Sequence, residues 1–132
     1  MHTDRAGRSE LHYAALDGDS EAVTKLVAAG ADPRQPDSAG FTPLHFAAQS
    51  GHANVARLLL DAGAPLELRN RFGATPLFVA LANVHDGDGE IVRALLAAGS
   101  DPMAQNRDGV TPLSYARTVA NYDLMRFFRP DD

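Results

Sequence analysis

The sequence predicts an all-α solenoid, four helix–turn–helix repeats stacked in a single domain over residues 1–132 and joined by short turns. Two markers carry that prediction. Ser9, Thr42, Thr75 and Thr111 stand 33, 33 and 36 residues apart, the last three each opening a Thr-Pro-Leu segment. Gly30, Gly63 and Gly99 close the units at separations of 33 and 36. Two independent markers on one period identify a tandem array, in which no unit can bury its apolar face alone. The repeats fall at about 4–36, 37–69, 70–105 and 106–132.

The second unit shows the local reasons. Asp37-Ser38-Ala39-Gly40 is turn sequence with a glycine free to take positive φ. Thr42 is a good N-cap, and Pro43 at the first helical position gives up an N–H that would have no partner there. Leu44, Ala47 and Ala48 then lie at i, i+3 and i+4, an apolar face whose small residues admit a close neighbour. Gly51 breaks the run. His52 to Ala62 restarts a helix with Val55, Leu58, Leu59 and Leu60 inward, and Gly63 suits the left-handed position after its end. The first unit repeats the pattern as Ser9–Ala15 and Asp19–Ala29, the third as Thr75–Ala82 and Gly89–Ala98. The fourth has Thr111–Thr118 and Asn121–Phe128, and stops before a closing glycine, as a terminal cap does.

Composition narrows the class of function. Twelve Lys and Arg face seventeen Asp and Glu, a net charge of −5, the opposite sign to a nucleic-acid binder. The absence of cysteine removes disulfides and thiolate metal sites and fits a reducing compartment. Met1 to Arg8 is polar and lacks the apolar core of a secretory signal. The longest apolar run, Leu77 to Ala82, is far short of the ~20 residues a membrane span needs. The expectation is a cytoplasmic monomer without nucleic-acid or membrane partners.

Gly40-Phe-Thr-Pro-Leu-His-Phe-Ala-Ala-Gln-Ser-Gly-His52 and Val55-Ala-Arg-Leu-Leu-Leu-Asp-Ala-Gly-Ala64 together resemble the ankyrin repeat proteins. The likeness runs from about Asp4 to Phe128. There are departures. Glu10 replaces the proline of the first unit, and Phe78 and Ser114 replace the histidine of the third and fourth. The resemblance implies a structural bond between that histidine and the capping hydroxyl, expected here only at Ser9/His12 and Thr42/His45. The third unit has three extra residues within Val84–Asp88.

Catalytic and metal chemistry is weakly represented, and no cofactor is expected. Asp86, Asp88 and Glu90 alternate like the start of a calcium loop, but Ile91 stands where that loop needs glycine and Ala97 where it needs glutamate. A solvated turn is the better reading of His85–Glu90. The rival, a metal protein or enzyme using this insertion, predicts a melting temperature that responds to calcium or zinc. No serine has a Gly-x-Ser-x-Gly setting, and no phosphate-binding glycine loop occurs. His52 reads as a local turn residue. Enzyme activity is not expected.

The resemblance implies binding of a protein partner through a concave side made of fingertip turns and first helices. The matching fingertip residues are Arg5, Ala6 and Arg8; Ser38, Ala39 and Phe41; Arg71, Phe72 and Ala74; Arg107, Asp108 and Val110. The first-helix positions are Leu16 and Asp17, Gln49 and Ser50, Ala82 and Asn83, Thr118 and Val119. Of these, Arg5, Arg8, Phe41, Gln49, Arg71, Phe72, Asn83, Arg107 and Asp108 are the expected contact residues. Phe41 and Phe72 stand in turns expected to be wet, either as contacts or folded onto their own turns; composition favours contact. Tyr13, Phe46, Val79 and Tyr115 share a position expected to form stacking core, and Phe127 and Phe128 are expected to close its end. The implied role is a stand-alone inhibitor or immunity-type antidote, with an adaptor or scaffold subunit as the alternative.

Overall fold

A computed structural model describes residues 3–84, 89–118 and 123–128. The helices are α1 (Glu10–Asp17), α2 (Ser20–Ala28), α3 (Pro43–Ser50), α4 (Ala53–Asp61), α5 (Pro76–Asn83), α6 (Glu90–Ala97) and α7 (Pro112–Thr118), followed by a 3₁₀ helix, Leu124–Phe128. Among the described residues there is no strand. Odd-numbered helices stack as an inner layer, α1 on α3 on α5, with α7 adjoining α5; α2, α4 and α6 form an outer layer.

Local sequence explains each helix end. Thr42 is extended at ψ 167° and its hydroxyl accepts from the His45 amide at 3.3 Å, with Pro43 next. Gly18 and Gly51 end α1 and α3 in the left-handed region, at φ 73° and 75°. In the third unit Val84 takes that place and leaves α5 extended, ψ 122°, toward the insertion. His85–Asp88, most of the segment that resembles the start of a calcium loop, lies outside the described residues, as do Val119 and Asn121. Glu90, its last acid, pairs with Arg57 across α4 and α6 at 2.9 Å.

The core runs continuously between the layers. Leu44, Ala47, Val55, Leu59, Leu77, Val92 and Leu95 are buried, while Leu58 and Leu60 are half-buried at its edge. Two expectations change. The second helix of the last unit, expected as Asn121–Phe128, is the shorter 3₁₀ helix. The Arg126 guanidinium takes the Asp123 carbonyl at 2.6 Å, the acceptor a further α-turn would use. Phe46 and Val79 are core and Tyr115 half-buried, as expected, but Tyr13 is 39% exposed. No inner helix among the described residues flanks α1 on that side, and the Tyr13 hydroxyl instead donates to the Asp4 carboxylate.

Candidate functional site

Four finger-like turns precede the inner helices, and one residue builds each of them. Asp4, Asp37, Asn70 and Asn106 accept with one side-chain oxygen from the amides two and four residues on, all at 2.9–3.1 Å. Each is also bonded through its own amide to the carbonyl four residues later, at 2.8–3.0 Å. A glycine at positive φ completes the turn, Gly40 at 80° and Gly73 at 75°. This is a tight hairpin whose left-handed position only glycine fills without strain. The Asp/Asn position keeps the 33, 33 and 36 spacing, so its signal was present in the sequence beside Thr-Pro-Leu.

Neighbouring fingers are bonded edge to edge. Ser38 N donates to Ala6 O at 2.7 Å, Arg71 N to Ala39 O at 2.8 Å and Arg107 N to Phe72 O at 3.0 Å. The first two fingers carry a further tie, since Arg8 Nε meets the buried Asp37 carboxylate at 3.3 Å.

Buried histidines fasten the fingers to the helices. His45 Nδ1 accepts from Thr42 N at 3.1 Å, which leaves the proton on Nε2 to donate to the Ala74 carbonyl at 2.9 Å. His12 does the same between Ser9 N, 3.0 Å, and the Phe41 carbonyl, 3.0 Å. Each ring therefore joins one repeat to the next. Burial in the core holds both imidazoles below the ordinary histidine range, and protonation of Nδ1 would also set a donor against the capping amide. The Tyr13 hydroxyl bond, with backbone amides, holds the Asp4 carboxyl below its usual range. His52 does more than expected. It stands in the turn before α4, its amide on the Ala47 carbonyl at 2.9 Å, but it also reaches out of that turn: its Nε2 lies 3.1 Å from the Leu16 carbonyl of the preceding repeat.

Where histidine is missing, two substitutes appear. Phe78 lies against Tyr115 of the last repeat, ring centroids 5.3 Å apart. Ser114 takes the Thr111 amide on its hydroxyl at 2.9 Å, and Thr111 takes the Ser114 amide at 3.0 Å.

Of the nine expected contact residues, Arg5, Gln49, Arg71, Phe72, Asn83, Arg107 and Asp108 are exposed, Phe72 at 53%. Arg71 stacks over the Phe72 ring, 4.8 Å to its centroid, and the Arg107–Phe72 backbone bond brings finger four beside them. Arg8 is half-buried, its guanidinium 5.0 Å over Phe46. Phe41 was expected in water and is not there. It is half-buried, stacked on Phe46 at 5.4 Å and edge-on to His45. The repeat explains this: Phe41 aligns with Ala74 and Val110, the inward base of the finger, whereas Phe72 aligns with Ala39 at its tip.

Among the described residues no group of three or more His, Asp or Glu gathers where a metal is held, and no helix is long and apolar enough to cross a membrane. A search of curated proteins returns no match. The family model for ankyrin repeats (3 copies) matches residues 11–106. Such repeats generally mediate protein–protein interaction and are typically non-enzymatic. With that match over most of its length, and with capped helix pairs and glycine-tipped fingers repeating in step, this chain belongs to the ankyrin repeat family.

Proposed function

We propose that the chain is a non-catalytic module that docks a partner protein on the face formed by its fingertips and inner helices. The observation that carries this reading is the ladder of fingers. Bonds of 2.7–3.0 Å hold four tips side by side, and the tips still leave Phe72 and its arginine neighbours in solvent. A rigid backbone that exposes an aromatic ring and guanidinium groups has what an interface hot spot needs, with little ordering cost on binding. The division into repeats at about 4–36, 37–69, 70–105 and 106–132 fits this use, since each unit contributes one finger and one inner helix.

The mechanism is occupancy. A module of this kind suits an inhibitor or immunity-type antidote, whose partner loses activity when bound; an adaptor leaves its partner active. The test is paired capture from lysate, with the chain and its Arg71→Ala/Phe72→Ala/Asn83→Ala variant as baits. Phe41 is left intact because it packs against the core. A protein held by the first bait and lost from the second, at equal melting temperature, supports the reading, and its activity in the complex separates inhibitor from adaptor. A partner held equally by both baits refutes this face.

A further inference from the structure

Several cations away from the fingertips are already engaged. On the outer layer Lys25 pairs with Glu21 at 3.1 Å and Arg57 with Glu90 at 2.9 Å, while Arg93 lies 5.1 Å from the Phe127 ring. At the fingers the pattern reverses. Arg5, Arg71 and Arg107 share one repeat position, immediately after the Asp or Asn that builds the turn, and all three are exposed. None of them makes an ion pair among the described residues. Ser38 fills the fourth place.

That arrangement is selective in a protein whose net charge is −5. The net charge disfavours acidic surfaces overall, and the three aligned, unpaired finger arginines are a local exception to it. Arg71 is also prearranged. Stacked on Phe72, its guanidinium has one apolar face covered and its N–H edge in water, open to a carboxylate fork. The exposed part of the Phe72 ring lies beside it, and Arg107 is one finger away. One opposing charge is present, the exposed Asp108 next to Arg107.

We infer that fingers three and four recognise an acidic segment of a protein partner, a run of Asp or Glu side chains with an apolar residue among them. This rests on the binding reading above and narrows it. The carboxylates meet Arg71 and Arg107, and the apolar side chain covers Phe72. Asp108 works against this ligand, so removing its charge strengthens binding, the reverse of what a basic partner shows.

The test uses the full chain and fluorescence anisotropy of a labelled Asp/Glu-rich peptide containing two leucines. Its comparators are the same peptide with Asn and Gln for the acids, and a single-stranded oligonucleotide of equal charge. The acidic peptide is expected to bind best and to weaken as salt rises. Arg71→Ala/Arg107→Ala is expected to lose about tenfold in affinity, while Asp108→Asn gains a few-fold. Phe72→Ala weakens binding and Lys25→Ala, on the outer layer, leaves it unchanged. Equal binding of the amide peptide, tighter binding of the oligonucleotide, indifference to Arg71→Ala/Arg107→Ala, or no binding of the acidic peptide each overturns the inference. A captured partner whose hold ignores salt and both arginines also overturns it, yet leaves the binding reading intact.

Discussion

Gly40→Ala and Gly109→Ala make the same chemical change at the same repeat position, and the structure gives them different costs. Both glycines have positive φ, 80° and 77°, so each alanine bears left-handed strain of about 1–2 kcal/mol. Each variant also gains something from a less flexible unfolded chain, and that gain is common to both. The difference lies in the next finger. A Cβ on Gly40 would stand 2.8 Å from the Asn70 Cα, whereas one on Gly109 meets nothing within 4 Å. Finger two must then move away from finger three and stretch the Arg71–Ala39 bond, now 2.8 Å, whose net worth is about 1 kcal/mol. Urea unfolding followed by circular dichroism should therefore show Gly40→Ala less stable than Gly109→Ala by about 1–2 kcal/mol, the bond plus residual overlap. Equal losses would refute the argument, because they would mean that the fingers yield freely and present no fixed surface.

Acid should weaken the array through its two buried histidines. His12 and His45 have folded pKa values below the unfolded value of about 6.5, so their contribution is complete above that pH and is lost as pH falls toward the folded values. The melting temperature should drop between about pH 6.5 and 5, and a flat profile there would contradict the bridges. Leu59, fully buried in α4, should cost about 2–5 kcal/mol as Leu59→Ala; an unchanged urea midpoint would remove it from the core. Asp37→Ala strips acceptors from the Ala39 and Phe41 amides and leaves Arg8 unpaired. A loss of about 2–4 kcal/mol is expected, and under 1 kcal/mol would mean that water replaces the carboxylate.

The period and the caps were legible in the sequence because they are local. Thr42-Pro43 and Gly51 fix one helix between neighbours in the chain, and the structure places α3 between them. What resisted reading depends on the adjacent repeat. His52 reads as a turn residue until Leu16 of the previous unit is brought to it. Phe41 and Phe72 look alike as aromatics in turns, and only alignment to the finger shows that one faces Phe46 and the other faces water. The Asp/Asn that builds each finger stands on the same period, but aspartate and asparagine are so common in turns that the position is less distinctive than Thr-Pro-Leu. Ser114 could stand in for histidine at its cap because a hydroxyl also reaches the Thr111 amide.

Stability and recognition are divided along the array. Histidine bridges through His12, His45 and His52 tie the first three repeats, whereas the last has no such bridge and is held to the third by the Arg107–Phe72 backbone bond, the Phe78–Tyr115 contact and Phe127, whose ring fills the space above Gly89. α7 also adjoins α5 over less of its length than α3 does. Because repeats couple only to neighbours, this end should open locally while the rest stays folded. Arg71, Phe72 and Arg107 bridge the firmer part to the looser one. A ligand that spans fingers three and four binds only when both are in place, and so it stabilises the looser repeat by linkage. Hydrogen exchange on the full chain should show amides of 104–118 opening more readily than those of 42–60, with bound acidic peptide protecting the former most. Uniform protection along the array would show that the repeats open as one unit, and the division would fail.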